Sequence, residues 1–401
     1  MTPQQGSPGE RSGEFVARTA LMISLVALSI DAMLPALQEI GGDLGLHRGN
    51  DAQLVVSALF LGLAVGTMIY GPISDSTGRK PAIYAGFALF ILGCLLSVAA
   101  TSFPVMLAGR FLQGIGAAGP RIVAIALVRD RHQGRAMARI MSTVMAVFIL
   151  VPVLAPAVGQ GILMVAHWRA IFGVLLALAL IALVWFALRQ PETLTPDRRT
   201  PFSVLQIGRA IRETCAHRAA FGYTIAAGLV FGAFVGYLNS AQQIFQVQYE
   251  LDARFPLYFA VLALSIGGAS WVNSRLVMRF GMRRLSGLAV TALSGVSLVF
   301  LAIAWTAAGH PPLWALMAYL MVAFFCIGIL FGNFNALAMD PLGHIAGVAA
   351  SVIGSLTTLI SLALGTAIGQ GYDGTVLPLV GGFAALGIAS YTVMRWVERG
   401  R

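Results

Sequence analysis

Gly71-Pro72-Ile73-Ser74-Asp75-Ser76-Thr77-Gly78-Arg79-Lys80 is the short polar passage whose reading decides the fold. It separates two apolar runs, near 53–73 and 82–100. Each matches the ~20 residues that a helix needs to cross ~30 Å of hydrocarbon. Two such helices joined by a tight charged turn form a hairpin whose tip lies outside the bilayer. Working outward, charge-poor stretches of similar length recur near 16–38, 104–128, 137–163, 168–189, 219–244, 256–277, 285–307, 313–336, 346–370 and 375–397. That makes twelve spans, with longer apolar runs divided at Phe103-Pro104 and Pro311-Pro312.

Composition agrees. Hydrophobic residues make up 58% of the 401 and charged residues 10%, where a soluble domain carries ~25% charged. A water-facing surface cannot be built from so little charge, which leaves an all-α polytopic membrane protein. The three cysteines (Cys94, Cys215, Cys326) have neither disulfide nor zinc spacing. Lys80 is the single lysine and precedes Pro81, so there is no Gly-Lys-Ser/Thr phosphate loop and no ATP-driven transport within this polypeptide. The first span follows a polar start and contains Asp31; it reads as a retained helix rather than a cleaved signal.

Arginine placement predicts orientation. With the N-terminus inside, twenty-one bases fall on the cytoplasmic side, from Arg11 and Arg18 to Arg399 and Arg401, against three outside (Arg48, Arg169, Arg254). Both termini are therefore expected to be cytoplasmic. The net charge of +10 reflects that topology, not a nucleic-acid partner. The segment 191–218, with Pro191, Pro196 and Pro201, divides an N-terminal six-helix bundle (1–190) from a C-terminal one (219–401). Its later part (Phe202, Leu205, Ile207, Ile211) suits an amphipathic surface helix. Six spans and six suggest an internal duplication.

The opening passage resembles the signature loop of the major facilitator superfamily, with Ser76 where the usual residue is Arg. A carboxylate at such a turn can meet the N–H groups of a helix start. Gly71, Asp75, Gly78, Arg79 and, at the end of span 4, Asp130 are the residues of an expected conformational lock in which Arg79 bridges the two acids. Asp75 is further expected to face the start of span 11 near Ile345–Gly347. The corresponding place in the second half reads Arg279-Phe280-Gly281-Met282-Arg283-Arg284. Aligning the glycines puts Met278 at the position of Asp75, so the lock should be one-sided.

Span 4 carries Arg110-Phe-Leu-Gln113-Gly114-Ile-Gly116, and further on Arg121; Arg-x-x-Gln-Gly-x-Gly resembles the motif of proton-coupled members. Span 5 contains Pro152, Pro156 and Gly159, a degraded likeness of the antiporter signature Gly-x-x-x-Gly-Pro-x-x-Gly-Gly. Pro156 among small residues can kink the helix, or the segment can be small-residue packing alone. Together with Leu28-Ser-Ile-Asp31-Ala-Met-Leu-Pro35, Gly236-Tyr237-Leu238-Asn239-Ser240 and His344-Ile-Ala-Gly347, the chain resembles the Bcr/CflA branch of the twelve-helix drug:proton antiporters over nearly its whole length.

Asp31 is the one acid placed within the bilayer, where an ionisable group is costly and functional by default. It lies at a depth similar to Arg110, and the two are expected to act as a proton-coupling pair; the alternatives are a cap on the helix end or a structural neutralisation. Arg121, about three turns further in, reads equally as substrate contact or as the partner of an acid. Gln113, Tyr237, Asn239 and Asn333 complete the expected substrate site, with Trp271, Asn273 and Asn335 as further polar or aromatic groups at mid-membrane.

The resemblance implies a major facilitator fold of two pseudo-symmetric bundles. It also implies proton-driven efflux of small amphipathic drugs, phenicol- or bicyclomycin-like, by alternating access in the bacterial inner membrane. No enzyme chemistry, no cofactor beyond the proton gradient and no metal are expected, and the chain is expected to work as a monomer. Two alternatives remain: a proton symporter importing a metabolite anion on Arg110 and Arg121, and a membrane receptor or structural subunit that transports nothing.

Overall fold

The computed structural model describes residues 12–132 and 134–399. Arg11 and Arg401, counted above among the cytoplasmic bases, lie outside the described residues. Among the described residues there are helices and no strands. Span 1 is broken: α1 (Ser12–Asp31) stops, a 3-10 turn covers Leu34–Ala36, and α2 (Leu37–Asp43) resumes. Pro35 accounts for the break, since it lacks the N–H that would reach back four residues to Asp31.

The first half continues with α3 (Leu54–Thr77), α4 (Arg79–Val98), α5 (Phe103–Arg131), α6 (Gly134–Leu163) and α7 (Arg169–Arg189). After α8 (Val204–Ala216) come α9 (Arg218–Leu238), α10 (Phe255–Phe280), α11 (Met282–Thr306), α12 (Leu313–Met339), α13 (Ala346–Gln370) and α14 (Leu377–Glu398). The proline breaks fall where helices begin: Pro104 and Pro256 sit in first turns and Pro312 just before α12. Proline costs nothing there, because the first N–H groups have no intrahelical partner. At 1.5 Å per residue, the long helices span a bilayer core, and the protein is a multi-pass membrane protein.

Two glycines make the duplication visible. Gly78 joins α3 to α4 and Gly281 joins α10 to α11, each as a single residue at positive φ (110° and 77°). A side chain is strained in that backbone region. The halves also meet in matched fashion, second span against fifth. Along α3 and α13, Ser355 Oγ donates to the Ala64 carbonyl at 2.8 Å, and Gly354 approaches Thr67. Between α6 and α10, Gly267 lies against Ile149.

Within the first half α5 is the central helix. A Cβ at Gly62 of α3 or Gly114 of α5 would strike the other helix's backbone, so small residues permit this approach. The α8 helix is capped by Ser203, whose Oγ accepts from the Gln206 N–H (3.2 Å). It buries Ile207, Ala210 and Thr214 and leaves Val204 and Leu205 exposed. Glu213 holds His344, in the turn before α13, at 2.6 Å.

Candidate functional site

A cavity of about 790 Å³ lies between the halves. It opens at Arg129 and Asn335, on the face that carries Arg79 and the other inter-helix arginines, and ends inside near Asp31 and Leu238. Spans 1, 4, 7 and 10 (α1, α5, α9, α12) line it, and α3, α6, α10 and α13 also contribute. One wall is aromatic. Phe231 packs against Phe234 at 5.5 Å and Phe331 at 5.1 Å, and Phe234 meets Phe324 at 5.7 Å.

Asp31 occupies the last position of α1, 5% exposed, on the cavity surface. Its carboxylate has no hydrogen bond or ion pair to a described residue. Gly159 of α6 abuts the break immediately after it; a Cβ there would collide with the Ala32 carbonyl oxygen. Pro152 of the same helix lines the cavity, and Pro156 is buried.

Arg110 does not join Asp31. Fully buried away from the cavity, its guanidinium donates to the Ser29 carbonyl at 2.7 Å, the Val55 carbonyl at 3.2 Å and Gln113 Oε1 at 2.5 Å. Gln113 in turn donates to Cys94 Sγ at 3.0 Å, and the Phe172 ring covers the guanidinium at 5.6 Å. The expected pair fails for a rotational reason. At 3.6 residues per turn, positions 29 and 31 face nearly opposite ways, and the arginine lies behind α1 while the acid looks into the cavity.

Arg121 does line the cavity, with no hydrogen bond, ion pair or aromatic contact among the described residues. The acid that could have been its structural partner, Asp130, is engaged by Arg79. Of the other expected substrate residues, Tyr237 is buried behind the wall, its ring edge-on to Phe324 at 4.8 Å, and its hydroxyl has no hydrogen-bond partner. Asn333 is buried in a reciprocal amide pair with Asn273, both bonds 3.0 Å; Asn273 and Asn335 are the ones that reach the cavity. Trp271 is 58% exposed, with Arg275 over its ring at 3.7 Å.

Asn239 belongs to a different place. It lies beyond α9, where its Oδ1 accepts from Ser57 Oγ (3.4 Å) in a polar seal on the side opposite the Arg-rich face. Asn50 organises that seal. Its Nδ2 donates to the carbonyls of Gln370 (3.0 Å) and Tyr372 (2.8 Å), and its Oδ1 accepts from Gln243 Nε2 (2.6 Å). Gln370 Nε2 returns a bond to the Asn50 carbonyl at 2.8 Å, and Ser57 meets Thr366 at 2.8 Å. The sequence reading missed this seal. Its signal was the carboxamide run Gln242-Gln243-Ile-Phe-Gln246-Val-Gln248, which forms a π-helical turn over Gln243–Gln248.

At the Arg-rich face Arg79 bridges two acids: Nη1 to Asp75 at 2.6 Å and Nε to Asp130 at 2.8 Å, with Ser74 Oγ also accepting at 2.7 Å. Asp75 and Gly347 share the cavity mouth with no hydrogen bond between them, and a Cβ at Gly71 would press on Ser351 Oγ. Met278, at the matching place of the second half, is 87% exposed. A further residue comes from the segment between halves. Glu192 accepts from the backbone N–H groups of Arg79 (3.0 Å) and Lys80 (2.9 Å), capping α4, while Thr193 Oγ1 donates to Asp130 at 3.2 Å. Burial alone would raise the Glu192 carboxyl. The N–H groups of Leu194, Lys80, Arg79 and Thr193 outweigh it and hold the carboxyl below the usual carboxylate range.

Comparison with known proteins agrees with the fold. The family model of the Major Facilitator Superfamily matches residues 19–366. A bicyclomycin resistance protein homolog of Haemophilus influenzae is 29% identical, covering 91% of each chain. Multidrug resistance protein D of Escherichia coli is 26% identical, covering 93% of this chain and 94% of its own. An MFS-type transporter of Bacillus subtilis, YdgK, is 28% identical over 87% of each. Among solved structures, the partially occluded inward-open form of the xylose transporter XylE from E. coli superposes with a TM-score of 0.72 at 12% identity, covering 96% of this chain and 97% of its own. The human organic anion transporter MFSD10 (TETRAN) gives 0.69 at 17%, covering 96% of this chain and 100% of its own. Both likenesses concern the fold.

Proposed function

This chain belongs to the Major Facilitator Superfamily and is a membrane transporter, not an enzyme; on that footing we propose that it exports small amphipathic drugs, phenicol- or bicyclomycin-like, in exchange for protons. The Arg-rich face is the cytoplasmic side of a bacterial inner membrane, with both termini on that side. The observation that carries the reading is Asp31: a carboxylate without a partner, at a helix break on the floor of an aromatic cavity open to one face. An isolated charge at that depth is costly. The carboxylate is stable there only with a proton or with a polarisable or cationic guest. Exchange of the one for the other is antiport.

The names of relatives at 26–29% identity support drug as the cargo. The cavity volume suits a small drug. The protein works as a monomer, with the bilayer, drug and protons as partners, no nucleic acid, and the proton gradient in place of a cofactor. Import of a metabolite anion needed Arg110 and Arg121 together as ligands, and Arg110 is buried and committed to carbonyls.

Everted membrane vesicles test the reading. Adding a phenicol to energised vesicles should discharge the pH gradient in wild type and leave it intact in vesicles carrying Asp31→Asn. Drug accumulation with no proton movement would refute the exchange. A chain with neither, whose overexpression leaves drug susceptibility unchanged, would be the non-transporting subunit.

A further inference from the structure

Three charged side chains line the cavity without a hydrogen-bond or ion-pair partner among the described residues: the acid Asp31, Arg121 and, at the mouth, Arg129. Asp31 stands on the floor and Arg121 on the α5 wall, nearer the mouth. The contact between Arg110 and Ser29 at 2.7 Å sets Arg110 level with the end of α1. Arg121 lies about three turns, or ~16 Å, further along α5. The side chains of Arg110 and Arg121 lean the same way, toward the helix start, so that offset is kept and the two charges, Asp31 and Arg121, stand on the order of 16 Å apart. The aromatic wall of Phe231, Phe234, Phe324 and Phe331 borders the same cavity.

From this layout we infer that, among amphipathic aromatics, the cavity holds best the rod-like zwitterions that carry a cation at one end and an anion at the other. The inference rests on the efflux reading of the same site. The guest's cation meets Asp31, its rings lie on the phenylalanine wall, and its anion meets Arg121. Arg129 at the mouth adds positive potential along the entry path of the anionic end, and field lines concentrate in such clefts. A guest with a single charge satisfies one pole and leaves the other to water or to the low-dielectric wall. A neutral guest has only the wall. No bond is made or broken, and the proton that leaves Asp31 goes to the medium when the guest's cation arrives.

The test uses three matched biphenyls: one with an aminomethyl group, one with a carboxylate, and one with both at opposite ends. Binding to the purified full-length protein is measured by calorimetry. The zwitterion should bind about tenfold more tightly than either singly charged rod, the effect of one charge-assisted contact. Arg121→Gln should bring the zwitterion to the level of the amine and leave the amine unchanged. Arg121→Lys, which keeps the charge, should retain the preference and serves where the Gln variant folds poorly. Asp31→Asn should bring the zwitterion to the level of the carboxylate. A zwitterion bound no better than the amine by wild type, an Arg121→Gln variant that weakens all three rods equally, or no binding by any rod would overturn the inference. Failure of the efflux reading has a different signature: zwitterion binding with the predicted preference, but no proton movement across a vesicle membrane.

Discussion

Arg110 donates to the Ser29 carbonyl at 2.7 Å, two residues before Asp31, and leaves that acid alone. The arginine therefore positions the end of α1 and makes no ion pair with the acid. It follows that Arg110→Ala should act through stability. Removing a guanidinium that satisfies two buried carbonyls and Gln113 should cost on the order of 3 kcal/mol. The melting temperature should fall and export should drop at every pH, with the shape of the pH profile kept. A profile displaced along the pH axis, in a variant of unchanged stability, would mean that Arg110 and Asp31 communicate as charges.

Gly159 shapes the same region from the other side. Its Cβ position collides with the Ala32 carbonyl, so Gly159→Ala must push α6 off the break, at about 1–3 kcal/mol for overpacking. Gly161, two residues on, has open space around it. Transport by Gly159→Ala should be severely reduced while Gly161→Ala behaves as wild type. Equal activity of the two would show that the approach of α6 to the break has no role.

The seal opposite the Arg-rich face consists of uncharged amides centred on Asn50. Asn50→Ala loses three side-chain hydrogen bonds to the second half, worth up to ~3 kcal/mol together. A shift of ~1.4 kcal/mol changes a two-state ratio tenfold. Cysteine labelling from the opposite face should therefore rise strongly at Thr366→Cys in the Asn50→Ala background. Labelling equal to that of the Asn50 parent would exclude the seal as a gate.

The connecting segment is fastened to α4 by Glu192, whose carboxyl is held low by four backbone N–H groups against the effect of its burial. A depressed carboxyl contributes stability above the free carboxylate range, near 4, and loses it as pH falls through the depressed value. Docking should thus be intact at neutral pH and released on strong acidification. Glu192→Gln should behave at neutral pH as the acidified wild type does. Tryptic cleavage at Arg198 and Arg199 reports it directly: faster cutting in Glu192→Gln is expected, and identical rates would show that the segment is held by other contacts.

Much of this was legible in residue order because the bilayer imposes length and the turn chemistry imposes punctuation. Pro104 and Pro312 mark helix starts, Gly78 and Gly281 mark the paired one-residue turns, and Arg79 finds both of its acids. Rotation was not legible. A helix that is apolar all round has no stripe to show which side meets a cavity. Arg110 and Asp31 could therefore share a depth and still face apart, and Tyr237 and Asn333 could sit at mid-membrane yet lie behind the lining. The Asn50 seal escaped for a related reason: single carboxamides scattered over positions 50 to 370 become one network only when the two halves close on each other.

Proton release from the purified transporter on drug addition, followed with an indicator dye in weakly buffered detergent solution, tests the role of Asp31 most directly. Wild type should release protons as drug binds, and Asp31→Asn, correctly folded and still binding drug, should release none. Equal proton release by the two proteins would contradict exchange at Asp31.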